Sequence, residues 1–172
     1  TRYPLVTGVQ TCALPIFQKP LVFLDLETTG LSFTHDRIVE IAMLKISIDG
    51  SRLMKRKLIN PEMPIPKEVS EIHGITDDMV KDAPTFKQAA NEIRQFLEGS
   101  DLGGYNSNKF DWPLLVEEFL RSGLTFETEG RKLVDVQKIY HMMEPRNLSA
   151  AYKFYCDKDL ENAHSAETDV NA

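Results

Sequence analysis

Residues 21–30 read Leu21-Val22-Phe23-Leu24-Asp25-Leu26-Glu27-Thr28-Thr29-Gly30. A short apolar run ending in acid is the pattern of a buried strand, expected over Leu21–Leu26. Side chains alternate along a strand, so Asp25 and Glu27 share one face with their Cα atoms ~6.6 Å apart. A pair of divalent cations about 3.5–4 Å apart is a span that two such carboxylates can bridge. The Thr28-Thr29-Gly30 turn can bring backbone N–H groups close to a phosphate or sugar. Taken alone, Asp-x-Glu is more often a polar strand end leading into a turn.

Outward from this stretch, Arg37 to Asp49 is rich in Ile, Val and Leu. Asp49-Gly50 is a hairpin signal, and a further strand is expected from Arg52 to Ile59. Pro61, Pro64 and Pro66 break regular structure. Thr85 to Leu97 places Phe86, Ala89, Ala90, Ile93 and Leu97 at helical spacing, between Pro84 and Gly99. Leu102 to Tyr105 reads as a short strand and Asp111 to Arg121 as a second amphipathic helix, closed near Gly123. A strand near Leu133 and helices around Val136–Met143 and Leu148–Tyr155 complete the pattern. Strands joined by a tight turn, followed by strands alternating with helices, imply an α/β chain with a mixed sheet flanked by helices.

The chain has 172 residues, 42% of them hydrophobic and 27% charged, which fits one globular domain. Its net charge of −6 argues against a protein that coats nucleic acid non-specifically. It does not exclude one that processes nucleic acid, because carboxylates gathered around cations give the same balance. Cys12 and Cys156 have no metal-ligand spacing, so neither a disulfide framework nor a zinc site is indicated, and a cytoplasmic location is expected. No run approaches the ~20 apolar residues of a membrane span. Residues 1–16 lack regular periodicity, and Val9 to Ile16 reads as a translated sequencing adapter. The expected domain therefore occupies residues 19–172.

Two further stretches carry chemistry. Asp111 opens a helix just after a strand end, at Asn106-Ser107-Asn108-Lys109-Phe110-Asp111. By itself it is most simply an N-cap, worth about 1 kcal/mol. A strand end followed by a helix start is also where sheet-based folds commonly place ligands. His164 and Asp169 stand five apart in His164-Ser165-Ala166-Glu167-Thr168-Asp169, about 140° around a regular helix. Both can face one site if His164 lies in a loop, Ser165 caps the helix and Asp169 lies inside it. An imidazole titrating near neutrality suits a general base.

The three stretches in this order resemble the DEDDh branch of the 3′–5′ exonucleases, a family that includes the epsilon subunit of DNA polymerase III and ribonuclease T. The likeness covers essentially residues 19–172. It implies a ribonuclease H-like fold, two Mg²⁺ or Mn²⁺ ions held by Asp25, Glu27, Asp111 and Asp169, and His164 as general base. The expected reaction is two-metal hydrolysis of terminal phosphodiesters of single-stranded DNA or RNA, releasing nucleoside 5′-monophosphates. By the same matching, Thr28, Thr29 and Leu31 lie along the terminal nucleotide, with Leu31 against its base. His73, Asn106 and Phe110 are further substrate contacts. A DNA polymerase is a candidate partner. Three residues separate Asn106 from Phe110 where many members have two, a spacing similar to the exonuclease I group. The family's last helix would be cut short at Ala172, so a C-terminal truncation is expected.

The Lys55-Arg56-Lys57 cluster reads as protection of an exposed strand edge rather than a phosphate contact. Trp112, Phe119, Tyr152, Phe154 and Tyr155 read as core or interface residues. A haloacid dehalogenase-type phosphatase also begins with an acid at a strand end, but it wants Asp where Glu27 stands. A non-catalytic nucleic-acid or polymerase-binding module on the same fold is the alternative. Against it, clustered like charges are unfavourable unless a cation offsets them.

Overall fold

A computed structural model describes residues 18–144, 147–160 and 170. The expected alternation is present in β1 (Leu21–Thr28). Val22, Leu24 and Leu26 are buried on one side, while Asp25 is exposed and Glu27 half-buried on the other. β2 (Ile38–Ile46) and β3 (Arg52–Leu58) follow as an antiparallel meander. The turn between them closes with Gly50 in the left-handed region and the Asp49 carboxylate accepting the Ser51 N–H. Two short helices come next, α1 (Lys67–His73), which the sequence did not suggest, and α2 (Asp77–Val80), whose first turn carries the acids Asp77 and Asp78.

α3 (Phe86–Leu97) starts at a capping box. The Thr85 hydroxyl accepts the Gln88 N–H while the Gln88 side chain accepts the Thr85 N–H. Its apolar face buries Phe86, Ala89, Ala90, Ile93, Phe96 and Leu97. β4 (Asp101–Gly104) and β5 (Leu133–Asp135) flank α4 (Asp111–Arg121) in the chain. The sheet order is β3-β2-β1-β4-β5, with β1, β4 and β5 mutually parallel. This is the mixed sheet the sequence implied.

The main core lies between the sheet and helices α3 and α4. Phe119 stacks on Phe126 at 5.0 Å and meets Phe86 edge-on at 5.2 Å. Each fully buried side chain of this size contributes roughly 1.5–3 kcal/mol. A smaller cluster of Val39, Ile65, Ile75 and Val80 ties α1 and α2 to β2. All three cations of the basic cluster on β3 have partners. Lys55 and Lys57 both donate to Glu92 of α3, and Arg56 reaches Glu40 at 2.6 Å. The two lysines hold the Glu92 carboxyl down at about 2.

The chain divides into two compact units, the first ending at Asp135 and the second beginning at Val136. In the second, α5 (Val136–Met143) and α6 (Leu148–Cys156) match the expected helices. Asn147 caps α6 by accepting the Ala150 N–H at 2.9 Å. Among the described residues, no helix is long and apolar enough to cross a membrane.

Candidate active site

β4 and β5 end together at Gly104 and Asp135, and β1 runs on beyond them to Thr28, carrying Asp25 and Glu27. Asp25 and Glu27, two apart on β1, share a face as alternation requires. Asp111 arrives from α4. It is not the cap of that helix, since Phe110 holds the cap position without a side-chain cap bond. Instead, its Oδ1 accepts the Leu26 N–H at 3.1 Å, fastening the helix start to β1 between the two other acids. The N-cap reading of Asp111 is therefore replaced by a strand-facing one.

Protonation reports the crowding. Burial first, and then the Asp25 carboxylate, push the Asp111 carboxyl up to about 6, with Asp135 adding to the rise. Burial and then Asp25 likewise raise Glu27. Asp25 is thus electrostatically coupled to both other acids. Hard oxygen donors facing one another in this way suit Mg²⁺ or Mn²⁺ in chemistry. Among the described residues no three such side chains converge on a single ion position. Asp169 and His164 lie outside the described residues.

The expected substrate contacts are distributed as follows. Leu31 is 82% exposed beyond the end of β1. Thr28 and Thr29 are buried and their hydroxyls are spent inside the loop, donating to Gly30 O and to Asp36 Oδ1 at 2.7 and 2.9 Å. His73 closes α1. Its Nδ1 accepts the Ile75 N–H at 3.0 Å, which places the proton on Nε2, a buried nitrogen to which no described residue bonds. Phe110 is half-buried and packs on Phe33 with ring centroids 5.8 Å apart.

Asn106 adopts a left-handed backbone at φ 57° in the turn after β4. That turn is tight because a Cβ on Gly104 would meet Ser107 Cβ at 2.6 Å and Leu24 O at 2.9 Å. It is held by Asp135, whose two carboxylate oxygens accept the N–H groups of Asn106 and Asn108 at 3.0 and 3.4 Å. The sequence reading missed Asp135. The signal was present, since Leu133-Val134-Asp135 repeats the β1 pattern of an apolar strand ending in acid.

The exonuclease family profile matches residues 22–172. The chain is 30% identical over 170 residues to a DNA polymerase III PolC-type from Caldanaerobacter subterraneus, covering 98% of this chain and 12% of that protein. It is 32% identical over 158 residues to the DNA polymerase III subunit epsilon of Treponema pallidum, covering 85% of this chain and 69% of the relative. The fold is that of exonuclease I, with a TM-score of 0.66 at 18% identity over 90% of this chain and 39% of the other. An E. coli exonuclease I bound to a dT13 oligonucleotide matches equally, with a TM-score of 0.66 at 19% identity over 90% of this chain and 39% of that one. This is the ribonuclease H-like fold expected from the motifs. With the family profile spanning nearly all the described fold, the chain belongs to the exonuclease family.

Proposed function

We propose that this chain removes nucleotides from the 3′ end of single-stranded nucleic acid and releases nucleoside 5′-monophosphates. Asp25, Glu27, Asp111 and Asp169 hold two divalent cations, and His164 is the general base. The observation that carries this reading is the meeting of Asp25, Glu27 and Asp111 at one strand end, where burial and like charge raise the carboxyls of Glu27 and Asp111. Such a cluster is unfavourable by itself and is relieved by positive charge. Two Mg²⁺ or Mn²⁺ ions would supply Lewis-acid stabilisation of the attacking and leaving oxygens.

The chain's own side chains do the positioning. Leu31, exposed beyond β1, packs against the terminal base, and Phe110 supports the same nucleotide. His73 Nε2, buried and bonded by no described residue, would become a donor to a phosphate oxygen if substrate opens that pocket. Thr28 and Thr29 contribute through the backbone of the turn that their hydroxyls brace. Asn106, held by Asp135, shapes the opposite wall. His164 takes the proton of the attacking water, a task for which an imidazole is matched near neutral pH.

The names of the relatives support DNA as the substrate and a DNA polymerase as partner. Incubating the chain with matched 5′-labelled DNA and RNA oligonucleotides tests the reading. A ladder of shortened DNA strands and free mononucleotides is expected with Mg²⁺ or Mn²⁺, and none in EDTA. His164→Ala should lower the rate about 10²–10⁴-fold while leaving metal affinity intact. Intact strands in the presence of either metal would defeat the proposal, and His164→Ala working at the parent's rate would defeat the base assignment.

A further inference from the structure

The loop that follows β1 is bound to the far end of α4 by a set of contacts that the chemistry at Asp111 does not itself require. Within the loop, Asp36 is the organiser. Its carboxylate accepts the Thr29 hydroxyl at 2.9 Å and the Ser32 N–H at 2.8 Å. It sits so close to Gly30 that a Cβ there would fall 2.6 Å from Asp36 Oδ2. From α4, Arg121 donates through Nη1 to Asp36 O at 2.9 Å and through Nη2 to Phe33 O at 2.5 Å.

Arg121 is itself fixed. Nη1 also donates to Glu118 Oε1 at 3.0 Å, and Glu118 is fully buried. Glu118 in turn receives Nε and Nη2 of Arg37, at 2.5 and 3.2 Å, from the residue that closes the loop. Two guanidinium groups therefore compensate one buried carboxylate, which is the condition under which a buried charge is tolerated. Phe33, whose carbonyl Arg121 holds, packs its ring on Phe110, the residue before Asp111. The loop is thereby tied to both ends of one rigid helix, about 15 Å long.

We propose that Arg121 is a positioning residue for substrate. By holding the carbonyls of Phe33 and Asp36, it fixes the Gly30–Asp36 loop so that Leu31 and Phe33 meet the terminal nucleotide in register with Asp111. This inference rests on the nuclease reading above. A guanidinium suits this place because its rigid planar fork holds two carbonyls and a carboxylate in fixed geometry, which a flexible point-charge ammonium does less well. A merely structural role would lower stability without loosening the loop or the grip on a strand's 3′ end.

The test uses Arg121→Gln and, because Asp36 lies in a surface loop, Asp36→Ala as a second variant that does not disturb Glu118. Three quantities are measured for each: hydrogen exchange of residues 30–36, the dissociation constant of a labelled dT13 strand in EDTA, and hydrolysis of bis(p-nitrophenyl) phosphate with Mn²⁺. The last reads the acid cluster without a base to position. Both variants are expected to exchange the Ser32 amide at least about tenfold faster and to bind the strand about tenfold more weakly, with aryl phosphate hydrolysis within about twofold of the parent. Unchanged exchange or unchanged strand binding in both variants overturns the proposal. So does aryl phosphate hydrolysis that falls in step with strand binding. If Arg121→Gln fails to fold, Arg121→Lys takes its place with the same outcomes, because Asp36→Ala keeps the carbonyl that Arg121 holds. A parent that releases no mononucleotides refutes the nuclease reading instead, while exchange and strand binding still report on the loop.

Discussion

Asp25→Ala is expected to lower release of nucleoside 5′-monophosphates by at least about 10³-fold, with the thermal midpoint little changed. Asp25 is exposed on β1, so its loss opens no cavity. It is also the acid whose charge reaches both of the others, raising Glu27 and Asp111 alike. Asp25 would be one of the carboxylates that hold the cations, and a loss of about 10³-fold corresponds to about 4 kcal/mol of their contribution to the barrier. Quantifying mononucleotides from a dT13 strand with excess Mn²⁺ checks this. Activity within tenfold of the parent would mean that the metals lie elsewhere.

The second large effect runs in the opposite direction. In EDTA at pH 7.5, Asp111→Asn should be more stable than the parent. The Asp111 carboxyl stands at about 6 in the folded chain against an ordinary 3.8, chiefly because it is buried and then because Asp25 repels it. A raised carboxyl binds more protons folded than unfolded between those two values, so stability falls as pH rises through that window. The penalty is absent below about 3.8 and complete above about 6, where the shift amounts to roughly 3 kcal/mol. Asparagine keeps an oxygen to accept the Leu26 N–H and removes the charge. The expected gain in thermal midpoint at pH 7.5 is roughly 5–10 °C, and it should vanish near pH 3.5. Saturating Mn²⁺ should then raise the midpoint of the parent but not that of the variant. Equal midpoints for the two proteins in EDTA at pH 7.5 would contradict the crowding described for this strand end.

How far the sequence foretold this arrangement depends on the length over which a pattern can repeat. β1 was readable because its alternation runs through eight residues, and α3 and α4 because their apolar stripes last three turns between clear start and stop signals. α1 was not, because it has seven residues behind three prolines and buries no side chain. β5 has only three residues, so the acid at its end passed unnoticed although it shapes the turn of Asn106. Asp25, Glu27 and Asp111 were found through their spacing and company. What could not be read was how they are held. The hydroxyls of Thr28 and Thr29 turn inward rather than outward, and Arg121 reaches a loop 85 residues away. Neither follows from any local pattern, because both depend on which distant carbonyl or carboxylate the fold brings near.

The outer strand of the sheet has a consequence for how a long polymer would be handled. Lys55 and Lys57 share the carboxylate of Glu92 and Arg56 pairs with Glu40, so most of this cluster's charge is offset within the chain, and Glu92 stays ionised far below neutral pH. Contact with that flank would displace few condensed ions from a polynucleotide, and so would gain little from low ionic strength. Along this flank, then, the body of a strand would find little electrostatic hold.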